Sequence, residues 1–425
     1  MTLVRGTLLA LLCAMGTSAQ HPAELAAGRA LNSPGYRAAA QALAADYDRF
    51  VRELVELTEV QAPPFKEDAR ADAFIRLARA SGLTEIEKDA EGNVLVMRRG
   101  SGGPLLVVAA HLDTVFPEGT DVIVRRNGTR LAAPGIGDNA QGVATLLALT
   151  RAMDAARLTT ASDVLFVANV GEEGSGGLRG VRHLFGEGRH KDRIAAFISI
   201  DGMGSGDYVT TGGVGSRRYR VTFTGPGGHS YSAFGLVNPA NALAGAIQQL
   251  GAISVPSSPR TTFNVGMIGG GTSVNTIPAS VWMDVDLRSE SPADLARLDD
   301  AFKAGVARAV DEENRLRSTV EGPIRAELDL TGERPSGQTA QSTPLVQAAT
   351  GAIRALGQQP VYGWSSTDAN LPMSLGIPAI TIDSGIRGDR AHAPDEWIDV
   401  ERQSTVTGLQ RVLLVVLTVA GLVAS

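Results

Sequence analysis

Apolar and polar positions along the chain fall into two regimes. From residue 38 to 57 apolar side chains recur at helical spacing (Leu43, Tyr47, Phe50, Val51, Leu54, Leu57), and Pro63-Pro64 then breaks the pattern. A second helix is predicted over 67–81, strands over 93–98 and 105–110, and a helix over 141–156. A strand over 163–170, a helix over 178–185 and a strand over 195–201 follow. These strands are almost continuously apolar. That pattern, alternating with helices, predicts an α/β sheet covered on both faces. Residues 20–36 read as a loose lead-in.

Near residue 214 the rhythm changes. The stretch 218–224 alternates like a half-exposed strand. A helix over 239–250, strands over 261–268 and 280–287, a helix over 292–310 and a strand over 324–330 come next. This β-α-β-β-α-β order predicts a ferredoxin-like α+β unit of residues 214–331 inserted between two parts of the first domain, 37–213 and 332–425. A helix over 343–356, a strand over 378–382 and a last helix restore the first regime. The closing apolar run, 412–424, falls short of the roughly 20 residues that span a bilayer and reads as a helix on the core.

Composition narrows the classes. A chain of 425 residues exceeds what one core usually supports, and a net charge of −6 offers no basic surface for nucleic acid. The N-terminus, MTLVRGTLLALLCAMGTSAQ, places Arg5 before an apolar stretch from Leu8 to Met15, with small residues at Thr17 and Ala19. This predicts a signal peptide of residues 1–19 and an exported, periplasmic or extracellular protein. The single cysteine, Cys13, lies within it, so the mature chain would have neither disulfide nor thiol nucleophile.

Candidate chemistry clusters at predicted strand ends. His111-Leu112-Asp113 follows one apolar run, Glu172-Glu173 follows another, and Asp201 ends a third. Asp138-Asn139 precedes a helix, and His392 lies in Arg390-Ala391-His392-Ala393-Pro394-Asp395-Glu396. Singly each is an ordinary loop residue. Together, two histidines and several acids at the carboxyl ends of α/β strands match the nitrogen and oxygen donors that a pair of zinc ions takes. No serine has the G-x-S-x-G frame of a nucleophile elbow, and 202–206 lacks the spacing of a dinucleotide loop. His183 and His190 have no such context and read as surface residues.

This ordered set resembles dizinc metallopeptidase family twenty, which includes glutamate carboxypeptidase, peptidase T, aminoacylase and succinyl-diaminopimelate desuccinylase. The resemblance runs from about residue 40 to the C-terminus. It implies a zinc-peptidase-like catalytic domain with a mixed sheet, and an inserted lid through which two copies dimerise. It also implies two Zn2+ ions, with Co2+ or Mn2+ as substitutes. His111 and Asp201 would hold one ion, Glu173 and His392 the other, and Asp138 would bridge them, with a cis peptide before Asn139. Glu172 would be the general base and Asp113 would orient His111. In the lid, His229 would steady the oxyanion in the partner's site, while Arg288 and Asn275 would bind substrate. The stretch 364–370 resembles the family's late substrate-side loop, and Ala140 departs from the Lys or Met common after Asp-Asn. The substrate implied is a small peptide or, alternatively, an N-acyl amino acid. A non-catalytic binding protein on the same fold is the reading from another class, disfavoured because all five ligand positions and the base are present. Neither nucleic acid nor stable membrane insertion is expected.

Overall fold

The computed structural model describes residues 22–423. The predicted signal peptide and Cys13 lie outside the described residues.

The main sheet has nine strands. Its order is Ile86–Lys88, Val94–Arg98, Ser162–Asn169, Gly103–His111, Ile194–Ile200, Ala379–Ile382, Tyr208–Gly213 and Gly337–Gln338, with Val361–Ser365 also pairing Tyr208–Gly213. The four central strands, from Ser162–Asn169 to Ala379–Ile382, run parallel, and antiparallel pairs flank them, so the sheet is mixed. Alternation explains how a continuously apolar strand is used. Leu106, Val108 and Ala110 enter a core beneath one set of helices, while Leu105, Val107 and Ala109 enter a second core on the opposite face.

The helix Pro34–Thr58 is longer than its periodicity indicated, because Ser33 caps it by accepting the Tyr36 N–H and Pro34 occupies the first turn. Residues 22–32 correct a second expectation. They form the helix Pro22–Asn32 rather than a loose lead-in, and Ala27 and Ala30 are buried. Gly351 of the helix Pro344–Ala355 allows the close approach, since a Cβ there would meet the Glu24 backbone at 2.8 Å. The final helix, Arg402–Ala420, is 19 residues long and apolar enough to cross a membrane, yet 61% of its apolar window is buried inside the fold. Leu409, Leu413 and Leu417 join the larger core, as a helix packed on the core requires.

Residues 215–334 contain a second sheet of four antiparallel strands, ordered Thr261–Gly270, Ser280–Ser289, Gly215–Thr224 and Arg325–Arg334. The helices Pro239–Gly251 and Pro292–Leu316 close one face around a separate core that includes Val221, Phe223, Met283 and Phe302. Asn238 and Ser291 cap these helices, each followed by proline.

Candidate metal centre

Three neighbouring parallel strands end at one place. His111 is the last residue of Gly103–His111, paired in register with Asn169. The chain leaving Asn169 reaches Glu172 and Glu173 within four residues, and Asp201 follows the strand Ile194–Ile200. The carboxyl ends of a parallel sheet present exposed backbone and loops, which is where open α/β sheets build their sites.

The turn after His111 is fixed from behind. The fully buried guanidinium of Arg70 donates to the Leu112 carbonyl at 2.7 Å and to the Val60 carbonyl. His111 Nδ1 donates to the Asp113 carbonyl at 3.0 Å, which leaves Nε2 as the free ring nitrogen. The Asp113 carboxylate stands 3.7 Å from that ring. Its two oxygens accept the N–H groups of Glu172 at 3.0 Å and Glu173 at 2.7 Å, so one buried acid ties the two strand ends together.

Asp138 arrives on the loop before the helix Gln141–Ala155, and its peptide to Asn139 is cis. Asn139 donates to the Ile200 carbonyl at 2.8 Å. Gly142 is required here, since a Cβ would lie 2.3 Å from Asn139 Oδ1 and 2.7 Å from the Ile200 oxygen. Glu396, wholly buried, accepts three N–H groups of the same loop: Gly137 at 2.6 Å and Asp138 at 2.8 Å on Oε1, and Gly135 at 3.1 Å on Oε2. His392 sits at the rim, with its side chain 54% exposed.

The donors form two triads that share one residue. His111 Nε2 lies 3.0 Å from Asp138 Oδ1 and 3.5 Å from Asp201 Oδ1. His392 Nε2 lies 3.1 Å from Asp138 Oδ2 and 3.1 Å from Glu173 Oε1. Asp138 therefore turns one oxygen to each triad, the arrangement of a bridging ligand. Ligands about 2.0–2.1 Å from a tetrahedral zinc stand roughly 3.3 Å apart, close to all four distances. His111 Nε2 and Asp138 Oδ1 are buried with no hydrogen-bond partner, a cost that a cation between them removes. The residues fit two metal ions.

Electrostatics agree. Burial alone would raise Asp138, but the adjacent His111 and His392 rings outweigh it and hold the carboxyl below its usual range. Bonds from Asp138 and Glu173 push His392 up to about 10. Burial lowers His111, but its carboxylate neighbours prevail and hold it well above its ordinary value.

Glu172 differs from Glu173. Its Oε1 pairs with Arg334 at 2.7 Å, and Arg334 also donates to the Glu172 carbonyl and, at 3.1 Å, to Ser366 Oγ. Burial holds Glu172 well above the usual carboxylate range, with Arg334 opposing and Glu173 reinforcing the shift. Glu172 also stands within 4.8 Å of donor atoms of His111 and Glu173.

A cavity of about 770 Å³ opens over this cluster, lined by Asp138, Glu172, Glu173, Asp201 and His392. The second sheet also borders it: Arg218 and Arg288 line the cavity, both bonded to Asp286, at 3.2 Å and 2.6 Å. Trp364, Ser365, Ser366 and Thr367 line it too, which places the first half of the late loop beside the cluster. His229 and Asn275 are exposed at a short two-stranded ribbon that pairs Gly228–His229 with Thr276–Ile277, outside the cavity. His190, expected at the surface, is only 8% exposed, and burial lowers its pKa. His183 is half-buried, 3.7 Å from Asp89.

Sequence reasoning missed Arg334 and Glu396. Arg334 ends the strand Arg325–Arg334 and meets Glu172 only through folding. Glu396 had a visible cue, an acid four residues after His392.

Comparison with known proteins gives the family. The family model described as "Peptidase family M20/M25/M40" matches residues 107–416, well over half of the chain. Succinyl-diaminopimelate desuccinylase of Corynebacterium glutamicum is 25% identical over 364 residues, covering 83% of this chain and 92% of that protein. The desuccinylase of Xanthomonas oryzae is 26% identical over 366 residues, 82% of this chain and 93% of that one. In fold, aminopeptidase PepT from Bacillus cereus aligns with a TM-score of 0.71 at 19% identity, covering 88% of this chain and 99% of PepT. YXEP of Bacillus subtilis, described as a dinuclear metal binding peptidase, aligns at 0.64 with 15% identity, covering 88% and 98%. With its paired donor triads and this match, the chain belongs to peptidase family M20/M25/M40, a family of metal-dependent hydrolases of amide bonds.

Proposed function

We propose that this protein is an exported dizinc peptidase that cleaves amide bonds of small peptides, with Glu172 as general base. The observation that carries the reading is the pair of triads sharing Asp138, with a buried, non-bridging carboxylate, Glu172, beside them. His111 and Asp201 on one side, and Glu173 and His392 on the other, would hold two zinc ions that supply Lewis acidity and acidify a water.

Glu172 accepts the proton of the attacking water and returns it to the leaving nitrogen. Its raised pKa suits both steps, and Arg334 fixes one of its oxygens at the cavity wall. Asp113 holds the Glu172-Glu173 backbone, so ligand and base keep a fixed separation. Arg288 receives the substrate carboxylate, as a guanidinium at the cavity wall can. Export rests on the N-terminal pattern alone.

The positions of His229 and Asn275 favour a homodimer in which each second sheet serves the other copy's site. Tyr231, Phe234 and Val274 stand exposed near that ribbon, and the edge strand Thr261–Gly270 exposes Met267 and Ile268. Mixing Glu172→Ala with His229→Ala tests this. Neither variant alone is active, but statistical mixed dimers regain up to about a quarter of full activity. Unchanged inactivity of the mixture counts against the shared site.

The reaction itself is tested by mass spectrometry on di- and tripeptides and N-acyl amino acids, with Glu172→Ala as the blank. The variant is expected to lose roughly 10²–10⁴ in turnover while keeping two zinc ions. Protein that holds two zinc ions and cleaves no amide refutes the proposal, and loss of metal from Glu172→Ala makes Glu172 the ligand.

A further inference from the structure

Beyond the metal ligands and Glu172, the cavity wall contains two more acids. Asp383 follows the strand Ala379–Ile382, which lies parallel to Ile194–Ile200, so it is the next carboxyl end beside Asp201. It is only 7% exposed. Its Oδ1 accepts the N–H groups of Gly206 and Gly385, both at 2.8 Å, and its Oδ2 has no partner. Its carboxyl group fills the space a Cβ on Gly204 would take, 2.3 Å from Cγ, so the glycine admits the acid. Asp207 lines the same cavity, and Ser205 Oγ donates to its Oδ1.

Arg218 and Arg288 bind Asp286 and Arg334 binds Glu172, while Arg411 donates to the Ser205 carbonyl and pairs with neither acid among the described residues. Burial, and then the charge of Asp207, raise the Asp383 pKa, and a cation placed between them relieves both penalties. Two carboxylates fall short of the donor set a structural metal takes, and neither belongs to a metal-binding group among the described residues. An ammonium, with three donors on one compact charge, suits a free carboxylate oxygen beside a second acid.

We infer that Asp207 and Asp383 form the subsite for the free α-amino group of the substrate, so that the enzyme takes unblocked short peptides rather than N-acyl amino acids. The inference rests on the hydrolase reading only for its location. Both acids line the same cavity as Arg218 and Arg288, so it offers groups of opposite charge for the amine and the carboxylate of a zwitterionic peptide, whose amine is largely protonated at neutral pH.

The test separates binding from turnover. Zinc-loaded, full-length Glu172→Gln protein is titrated by calorimetry with alanyl-alanine and with N-acetyl-alanyl-alanine. The free amine is expected to bind roughly tenfold or more tightly, the value of a charge-assisted contact. Adding Asp207→Asn, or separately Asp383→Asn, should bring the two affinities together while zinc content stays at two. Equal affinities in the Glu172→Gln protein, tighter binding of the acetylated peptide, or a preference unmoved by Asp207→Asn each overturns the inference. A preference for the free amine in a protein that cleaves nothing would uphold this subsite and defeat the hydrolase reading instead.

Discussion

Glu396 offers the sharpest test of how the bridging ligand is held. Its carboxylate accepts three N–H groups from the loop that presents Asp138, two on Oε1 and one on Oε2. Bonds to a charged acceptor contribute about 1.5–3 kcal/mol each, so three sum to roughly 5–9 kcal/mol as an upper bound. Loop relaxation and entering water recover most of that. Loss of outer ligand-supporting bonds usually lowers metal affinity by about 10–100-fold, and three bonds on one short loop put Glu396→Ala near 100-fold, about 2.8 kcal/mol. Glu396→Gln can keep the two Oε1 bonds but turns an NH2 toward the Gly135 N–H, so about tenfold is expected. Because Asp138 gives one oxygen to each triad, both ions should weaken together. Zinc content at equilibrium with a graded chelator buffer measures this, with circular dichroism to confirm folding. Native affinity in Glu396→Ala, or weakening of only one ion, refutes the argument.

Other outcomes follow from the same geometry. His111 and His392 hold their protons far above their ordinary range, His392 up to about 10, so zinc must displace them near neutral pH. Apparent affinity should therefore rise with pH, by about tenfold per unit for each proton released, and calorimetry in buffers of different ionisation enthalpy should show that release. Identical heats in all buffers contradict it. Arg334→Met leaves a buried Glu172 uncompensated, and a stability loss of about 3 kcal/mol with retained zinc is expected, partly restored by Arg334→Lys. A melting temperature unchanged in Arg334→Met would refute it. Gly142→Ala should cost about 1–3 kcal/mol and reduce zinc occupancy, because its Cβ would strike Asn139 and the Ile200 carbonyl. An unaltered melting temperature and metal content would show that the loop can move aside.

Much of this protein is legible without its structure. The continuous apolar runs ending at His111, Asn169 and Ile200 already imply a sheet buried on both faces, since only such a sheet hides every side chain of a strand. The order of histidines and acids identifies the family because donor types follow metal chemistry and their spacing follows the βα repeat. Burial of His190 and the helix Pro22–Asn32 escaped, because small or polar residues with no periodic partner acquire their environment from distant segments. Asp207, Asp383, Arg334 and Glu396 belong to the same group. A strand end or a loop acid is commonplace along a chain, and no local pattern separates one facing solvent from one facing a cavity. That Asp138 meets His392, and which glutamate meets Arg334, depend on segments more than 100 residues apart converging at a sheet edge. Sequence determined the donor set. Only tertiary structure decided its pairing, because desolvation and charge act through distance in space.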